Sequence, residues 1–284
     1  MPLLALENLS IAFPSRNGFH WAVEDVSFSL GKGEILGIVG ESGSGKSVTC
    51  LSLVGLLGHG SQVSGTMRFD GQVHAIADLP RLSVDQRPSI GMIFQDPAAS
   101  LNPVRTVGSQ ITEVLRFGRG MDRRAAQAEA AALLDRVGIR EPEARLRSYP
   151  HQMSGGMNQR VMIAMALAGQ HRLLVADEPT TALDVTIQAQ ICKLLRNLVR
   201  ETGLSIIFIS HDLDLVAQLC DRVAVMFGGH LLETQSASDI VVAPRHAYTK
   251  ALLAAIPGHQ PARSRLGVIT DEMRSSFLDQ GEAA

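Results

Sequence analysis

The stretch Gly40-Glu41-Ser42-Gly43-Ser44-Gly45-Lys46-Ser47-Val48 carries the residue types that phosphate chemistry needs, in the spacing G-x-x-x-x-G-K-[ST]. Its glycines let the backbone curl so that successive N–H groups point into one concavity, where an anion can sit. Lys46 is long enough to reach terminal phosphates, and the Ser47 hydroxyl can ligate Mg²⁺. A flexible glycine–serine turn is the other reading of the same letters. The flanks favour the first. Glu34 to Val39 is an apolar run that reads as a buried strand, and Val48 to Val54 reads as the start of a helix. The positive end of that helix would face the loop.

Phosphoryl transfer to water also needs Mg²⁺, an oriented water and groups that meet developing charge. Asp177 ends the apolar run Leu173–Ala176, where it can hold Mg²⁺ through its water shell. Glu178, one residue on, is the candidate to accept a proton from the attacking water. Gln95 follows the strand-like Ser89–Phe94, and its amide could touch Mg²⁺ or the water. His211 follows Leu204–Ser210 and could hydrogen-bond a γ-phosphate. Taken singly, each reads equally as an ordinary strand-end polar residue. In doubly wound sheets, however, ligands bind at the carboxyl ends of the strands, and four such ends here deliver Gly40, Gln95, Asp177 and His211. Ser154-Gly155-Gly156 opens a helix and forms a second anion-binding turn, with Ser154 as N-cap. One chain cannot easily aim both this turn and residues 40–47 at one nucleotide across the helical segment between them. Two chains face to face, each giving Ser154–Gly156 to the other, solve that problem. A purine also needs a flat partner. Phe13 and Trp21 stand 33 and 25 residues before Lys46, and either ring could stack on a base or pack in a sheet.

The elements that must position these groups follow an α/β pattern. Residues 3–36 are β-rich, with a turn at Pro14–Gly18, and Gly65–Gly71 and Ser89–Phe94 are further strands. Pro97 and Pro103 bracket a stretch with no regular period. From Thr106 to Leu146 the spacing of Val107, Ile111, Val114 and Leu115, then Leu133, Leu134 and Val137, predicts helices. The α/β pattern returns with a strand at Leu173, a helix over Val185–Glu201, the strand at Leu204, a helix, and Asp221–Phe227, which completes the core. A helical appendage begins at Pro244 and turns polar after Pro257.

Of the 284 residues, 45% are hydrophobic, enough for a substantial core, and the net charge of −2 argues against a nucleic-acid surface. Cys50, Cys192 and Cys220 lie far apart with no C-x-x-C pair, so neither a disulfide framework nor a zinc site is expected. Met1–Glu7 has no basic stretch before an apolar one, so no secretory signal is expected. No apolar run approaches the ~20 residues that span a bilayer. Any membrane role would be peripheral.

Taken together these residues resemble an ATP-binding cassette (ABC) subunit. Gly40–Ser47 is similar to the Walker A motif, Gln95 to the Q-loop, and Met153–Met157 with Asn158-Gln159-Arg160 to the signature motif. Leu173–Glu178 is similar to Walker B with its catalytic glutamate, Ala182-Leu183-Asp184 to the D-loop, and His211 to the switch histidine. The order agrees over residues 4 to about 235, and the resemblance puts the adenine-stacking aromatic at Phe13. Longer stretches resemble the dipeptide/oligopeptide/nickel importer ATPases: Phe94-Gln95-Asp96-Pro97, Tyr149–Met157, Ala176–Val185 and the tail motif Arg245-His246-Ala247-Tyr248-Thr249. Ala247 stands where a proline is usual, and Met157 where many cassettes have glutamine. With no cysteine after Cys220, the iron–sulfur tail of some members is not implied.

The resemblance implies a P-loop NTPase core, a mixed β-sheet with flanking helices, carrying an antiparallel β subdomain and an inserted α-helical subdomain. Residues 1–243 would form the nucleotide-binding domain, with the helical insertion at about 104–160, and 244–284 a short tail. It further implies ATP and Mg²⁺ as ligands, with Ser47, Gln95 and Asp177 on the metal. The implied partners are a second cassette subunit (a paralogue or a second copy), two integral membrane permease subunits and, indirectly, a periplasmic solute-binding protein. The place would be the cytoplasmic face of a bacterial inner membrane. The rival is a soluble accessory cassette such as the phosphonate carbon–phosphorus lyase assembly uses.

Overall fold

A computed structural model of the chain describes residues 1–256 apart from His59 and Ala182, together with Phe277. Ala182 of the D-loop match and most of the tail beyond 256 thus lie outside the described residues. In chain order the elements are β1 (Leu4–Ser15), β2 (Gly18–Leu30), β3 (Ile35–Val39), α1 (Lys46–Leu53), β4 (Gln62–Phe69), β5 (Gln72–Ala75), β6 (Ile90–Ile93), α2 (Pro97–Ser100), α3 (Val107–Arg119), α4 (Arg123–Arg136), α5 (Pro142–Arg145), α6 (Gly155–Ala168), β7 (Leu173–Asp177), α7 (Val185–Thr202), β8 (Ser205–Ser210), α8 (Leu213–Leu219), β9 (Arg222–Phe227), β10 (His230–Ser236), α9 (Ala237–Val242) and α10 (Ala247–Ala254). The chain forms two compact units. The first comprises Met1–Gly31, Ile35–Leu82 and the segment from Ser210 onward, and the second comprises Lys32–Glu34 and Ser83–Ile209.

In the first unit, β2, β1, β4 and β5 form an antiparallel sheet in that order. Leu4 pairs with Leu30 and Phe13 with His20, and the register shifts between Leu6 and Ala12. The unit also holds β10, β9 and β3, with β9 antiparallel to β10 and parallel to β3. All five residues of β3 are buried, the continuous apolar run that a strand covered on both faces requires. β10 corrects the sequence reading, which closed the core at Phe227. Its residues His230-Leu231-Leu232-Glu233-Thr234-Gln235-Ser236 are mostly half-buried, so neither a clean alternation nor an apolar run marks the strand.

In the second unit, β6, β7 and β8 run parallel, Ile93 opposite Ala176 and Asp177 opposite Ile209. Helices α3, α4 and α6 bury Ile111, Leu115, Leu133, Leu134 and Val161. Each such side chain contributes about 1.5–3 kcal/mol on leaving water. Their ends are fixed by local chemistry. Thr106 Oγ1 accepts from Ser109 N at 3.2 Å, and Gly120 ends α3 at φ 64°. Asp122 Oδ1 accepts from Arg124 N and Ala125 N at 2.8 and 2.9 Å. The stretch between Pro97 and Pro103, read as aperiodic, contains the four-residue helix α2, capped by Asp96 Oδ1 on Ala98 N at 2.8 Å. Among the described residues no helix is long and apolar enough to cross a membrane.

Candidate functional site

The phosphate loop leaves β3 at Val39 and enters α1 at Lys46. Gly43 and Gly45 take φ of +82° and +96°, values that a side chain disfavours. At Gly45 space forbids a side chain as well, since a Cβ there would lie 2.7 Å from the Ala22 carbonyl oxygen on β2. The loop is tied to the β9–β10 turn through Gly229 N, which donates to Ser44 O at 3.3 Å. Lys46 is only 5% exposed. Its Nζ donates to Gly40 O at 2.9 Å, Glu41 O at 2.8 Å and Ser44 Oγ at 3.3 Å. The ammonium is thus folded back into the curl of its own loop.

Two observations show that this loop fits a phosphate chain. The N-cap of α1 is Gly45, which offers no side-chain acceptor, and no acidic residue stands in the first turn. Helices α3, α4, α6 and α7 carry Thr106, Asp122, Ser154 and Asp184 at that position, and each side chain accepts from a first-turn N–H of its own helix. Here no side chain caps the helix start, and the positive end of the helix dipole favours an anion there. The second observation is Lys46 itself, a buried cation within reach of the same loop.

Phe13 also belongs to the first unit, half-buried on β1, and His211 follows the end of β8, exposed. A third contact in this unit had no counterpart in the sequence reading. Tyr248 of α10 is fully buried, and its hydroxyl accepts a hydrogen bond from Glu41 N at 3.1 Å.

The second unit holds Gln95, Ser154–Gly156, Asp177 and Glu178. Asp177 is the buried last residue of β7. Glu178 turns out of the strand at φ 45°, left-handed backbone that costs a non-glycine residue roughly 1 kcal/mol. It is held there by its N–H on Ile209 O at 3.1 Å. Its Oε2 accepts from Gln95 Nε2 at 3.0 Å and from Thr181 Oγ1 at 2.8 Å. The structure therefore brings Gln95 and Glu178 into direct contact and adds Thr181, which sequence reasoning missed. A threonine three residues after the acid is the local signal that could have found it.

Ser154 caps α6, its Oγ accepting from Met157 N at 3.3 Å. Gly156 has a packing reason of its own, because a Cβ there would lie 2.8 Å from Ile187 Cγ2 on α7. Gly155 is exposed. Asn158 Nδ2 donates to Pro150 O at 2.9 Å and so fixes the chain entering the turn. Arg160 bonds Val137 O and reaches Gln190 Oε1 at 2.9 Å.

Comparison with known proteins follows the same outline. The dipeptide transport ATP-binding protein DppD of Escherichia coli K12 is 47% identical over 272 residues, covering 94% of this chain and 82% of the relative. The oligopeptide transport ATP-binding protein OppD of Haemophilus influenzae is 48% identical over 258 residues, covering 90% and 79%. Among solved structures, the dimeric post-hydrolysis state of the ATP-binding cassette MJ0796, bound to ADP and Pi, superposes with TM-score 0.70 at 28% identity. It covers 82% of this chain and 98% of that one. The family model for the ABC transporter matches residues 23–181, more than half of the sequence. This chain belongs to the ABC transporter family, as one of its ATP-binding cassettes.

Proposed function

We propose that this chain is the ATP-binding and ATP-hydrolysing subunit of an importer for peptides, nickel or a related small solute, working peripherally at the cytoplasmic face of a bacterial inner membrane. The observation that carries the proposal is the 40–47 loop, an uncapped helix start with a buried lysine folded into it. The identities to DppD and OppD support the peptide arm of the reading.

In this reading Gly40 to Val48, with Glu41, Ser42, Gly43, Ser44, Gly45, Lys46 and Ser47 between them, cradle the phosphates, and Phe13 stacks on the adenine. Ser47, Gln95 and Asp177 would hold Mg²⁺, which when bound neutralises charge on the phosphates. Glu178 takes the proton of the attacking water, with its carboxylate oriented by Gln95 and Thr181. His211 hydrogen-bonds the γ-phosphate. Ser154, Gly155 and Gly156 of one cassette close on the γ-phosphate held by the other, which is a paralogue or a second copy. Phosphate loss removes those contacts and the pair opens. Two integral membrane permease subunits take up the motion through residues 104–160 and the loop after Gln95. A periplasmic binding protein selects the solute, and the 244–284 tail is an appendage to the 1–243 domain.

The test is affinity purification of the tagged chain from detergent-solubilised membranes, followed by phosphate release from Mg-ATP. Recovery of two integral membrane proteins together with turnover is the expected result. Recovery of soluble enzymes alone would favour an accessory cassette of the phosphonate-lyase kind, and absence of turnover would remove the enzymatic reading.

A further inference from the structure

Tyr248 lies 207 residues from the phosphate loop in sequence and touches it directly. The hydroxyl accepts from Glu41 N, and that N–H belongs to the same peptide unit as the Gly40 carbonyl. The Gly40 carbonyl in turn accepts from Lys46 Nζ at 2.9 Å. In a trans peptide the C=O and N–H point in opposite directions. One plane is therefore held from one side by Tyr248 and from the other by Lys46. Gly40 itself packs against β9, where a Cβ would lie 2.1 Å from Met226 O, and the two hydrogen bonds add a restraint on each side of its peptide.

Tyr248 is itself fixed. Its ring lies 4.6 Å from that of Phe227 and 5.5 Å, edge-on, from that of Phe277. Arg245 N and His246 N each donate to the Glu233 carboxylate at 3.0 Å, which pins the start of α10 to β10. His246 Nδ1 accepts from Tyr248 N at 3.1 Å and caps the helix.

We propose that Tyr248 is a positioning residue for the phosphate loop. Through the Gly40–Glu41 peptide it sets the pose of Lys46, so that the C-terminal segment contributes to nucleotide affinity. This rests on the reading that the loop binds ATP. Tyr248→Phe keeps the ring and its aromatic neighbours but strips the acceptor from Glu41 N. The loss of one neutral hydrogen bond at a half-buried site predicts a roughly three- to ten-fold rise in KM and Kd for Mg-ATP. Because the hydroxyl touches no reacting atom, kcat at saturating ATP stays within about two-fold.

The experiment measures Mg-ATP affinity, KM, kcat and apo melting temperature on the full chain for wild type, Tyr248→Phe and His246→Ala. The His246 variant loosens the α10 cap while keeping the hydroxyl, and serves as the structural control. An affinity loss in Tyr248→Phe that exceeds the loss in His246→Ala supports the proposal. Equal affinities in wild type and Tyr248→Phe would overturn it and leave the ATPase reading intact. Failure of the wild type to bind ATP would instead overturn that reading. Amide exchange on the wild-type apo chain gives a readout without a variant. The Glu41 amide is expected to exchange far more slowly than that of exposed Ser42, and equal rates would also overturn the proposal.

Discussion

Glu178→Gln separates chemistry from structure, because the two effects differ in size and both can be worked from the contacts. The substitution keeps the shape of the side chain. It turns two charge-assisted hydrogen bonds, from Gln95 Nε2 at 3.0 Å and Thr181 Oγ1 at 2.8 Å, into neutral ones. At about 1 kcal/mol for each bond so weakened, the structural cost is at most ~2 kcal/mol. For a chain of this length that lowers the melting temperature by no more than about 8 °C. Removing a general base costs roughly 10²–10⁴ in rate, or about 3–5 kcal/mol of barrier. Phosphate release at saturating Mg-ATP should therefore fall at least about a hundred-fold. Calorimetric ATP affinity should be retained, and size-exclusion chromatography with ATP should show an accumulating dimer. Turnover within a few-fold of wild type would refute the assignment of Glu178. A fall in ATP affinity matching the fall in rate would show that the residue is structural.

Two further predictions follow from the packing and the charges. Gly45→Ala combines a left-handed backbone with a Cβ 2.7 Å from Ala22 O. It should cost about 2–4 kcal/mol, visible as a lowered denaturation midpoint, and should abolish ATP binding. A midpoint equal to wild type would contradict the loop geometry. Acid should also destabilise the fold. Burial depresses the pKa of His171 below the usual histidine value, and burial does the same for His246 despite the opposing pull of Glu233. The unfolded chain therefore binds more protons, so stability is complete above the ordinary histidine pKa of about 6.5 and declines as pH falls through it. Glu233 extends the loss to lower pH. Burial raises its pKa, but hydrogen bonds including those from the Arg245 and His246 backbone and Gln235 bring it below the ordinary carboxylate value. Melting temperature is expected to fall between pH 7.5 and pH 5, with a smaller slope in His246→Asn, and a flat profile would contradict this.

Much of the fold was legible because the chemistry and its supports are local. The phosphate loop announces itself through glycine spacing between an apolar run and a helix start. β3, β7 and β8 are buried on both faces and so read as unbroken apolar runs. The long helices carry caps and a periodic buried face, as α7 does with Asp184, Ile191, Leu195 and Gly203. Apart from Thr181, whose spacing from Glu178 is a local signal, what escaped has none. β10 is half-buried along most of its length, and α2 is too short for a period to appear. The role of Gly156 against Ile187 and the bond from Glu41 to Tyr248 depend on residues 31 and 207 positions away. Only the folded chain shows them.

The central claim is that residues 40–47 hold the phosphates of ATP and that Lys46 is their cation. It is tested most directly by titrating Mg-ATP into the purified chain and into Lys46→Ala by isothermal calorimetry. Saturable one-site binding by the wild type, with a loss of at least about a hundred-fold in the variant, is the expected result for a buried charge-assisted contact. Equal affinity in the two proteins, or no binding by either, would contradict the account.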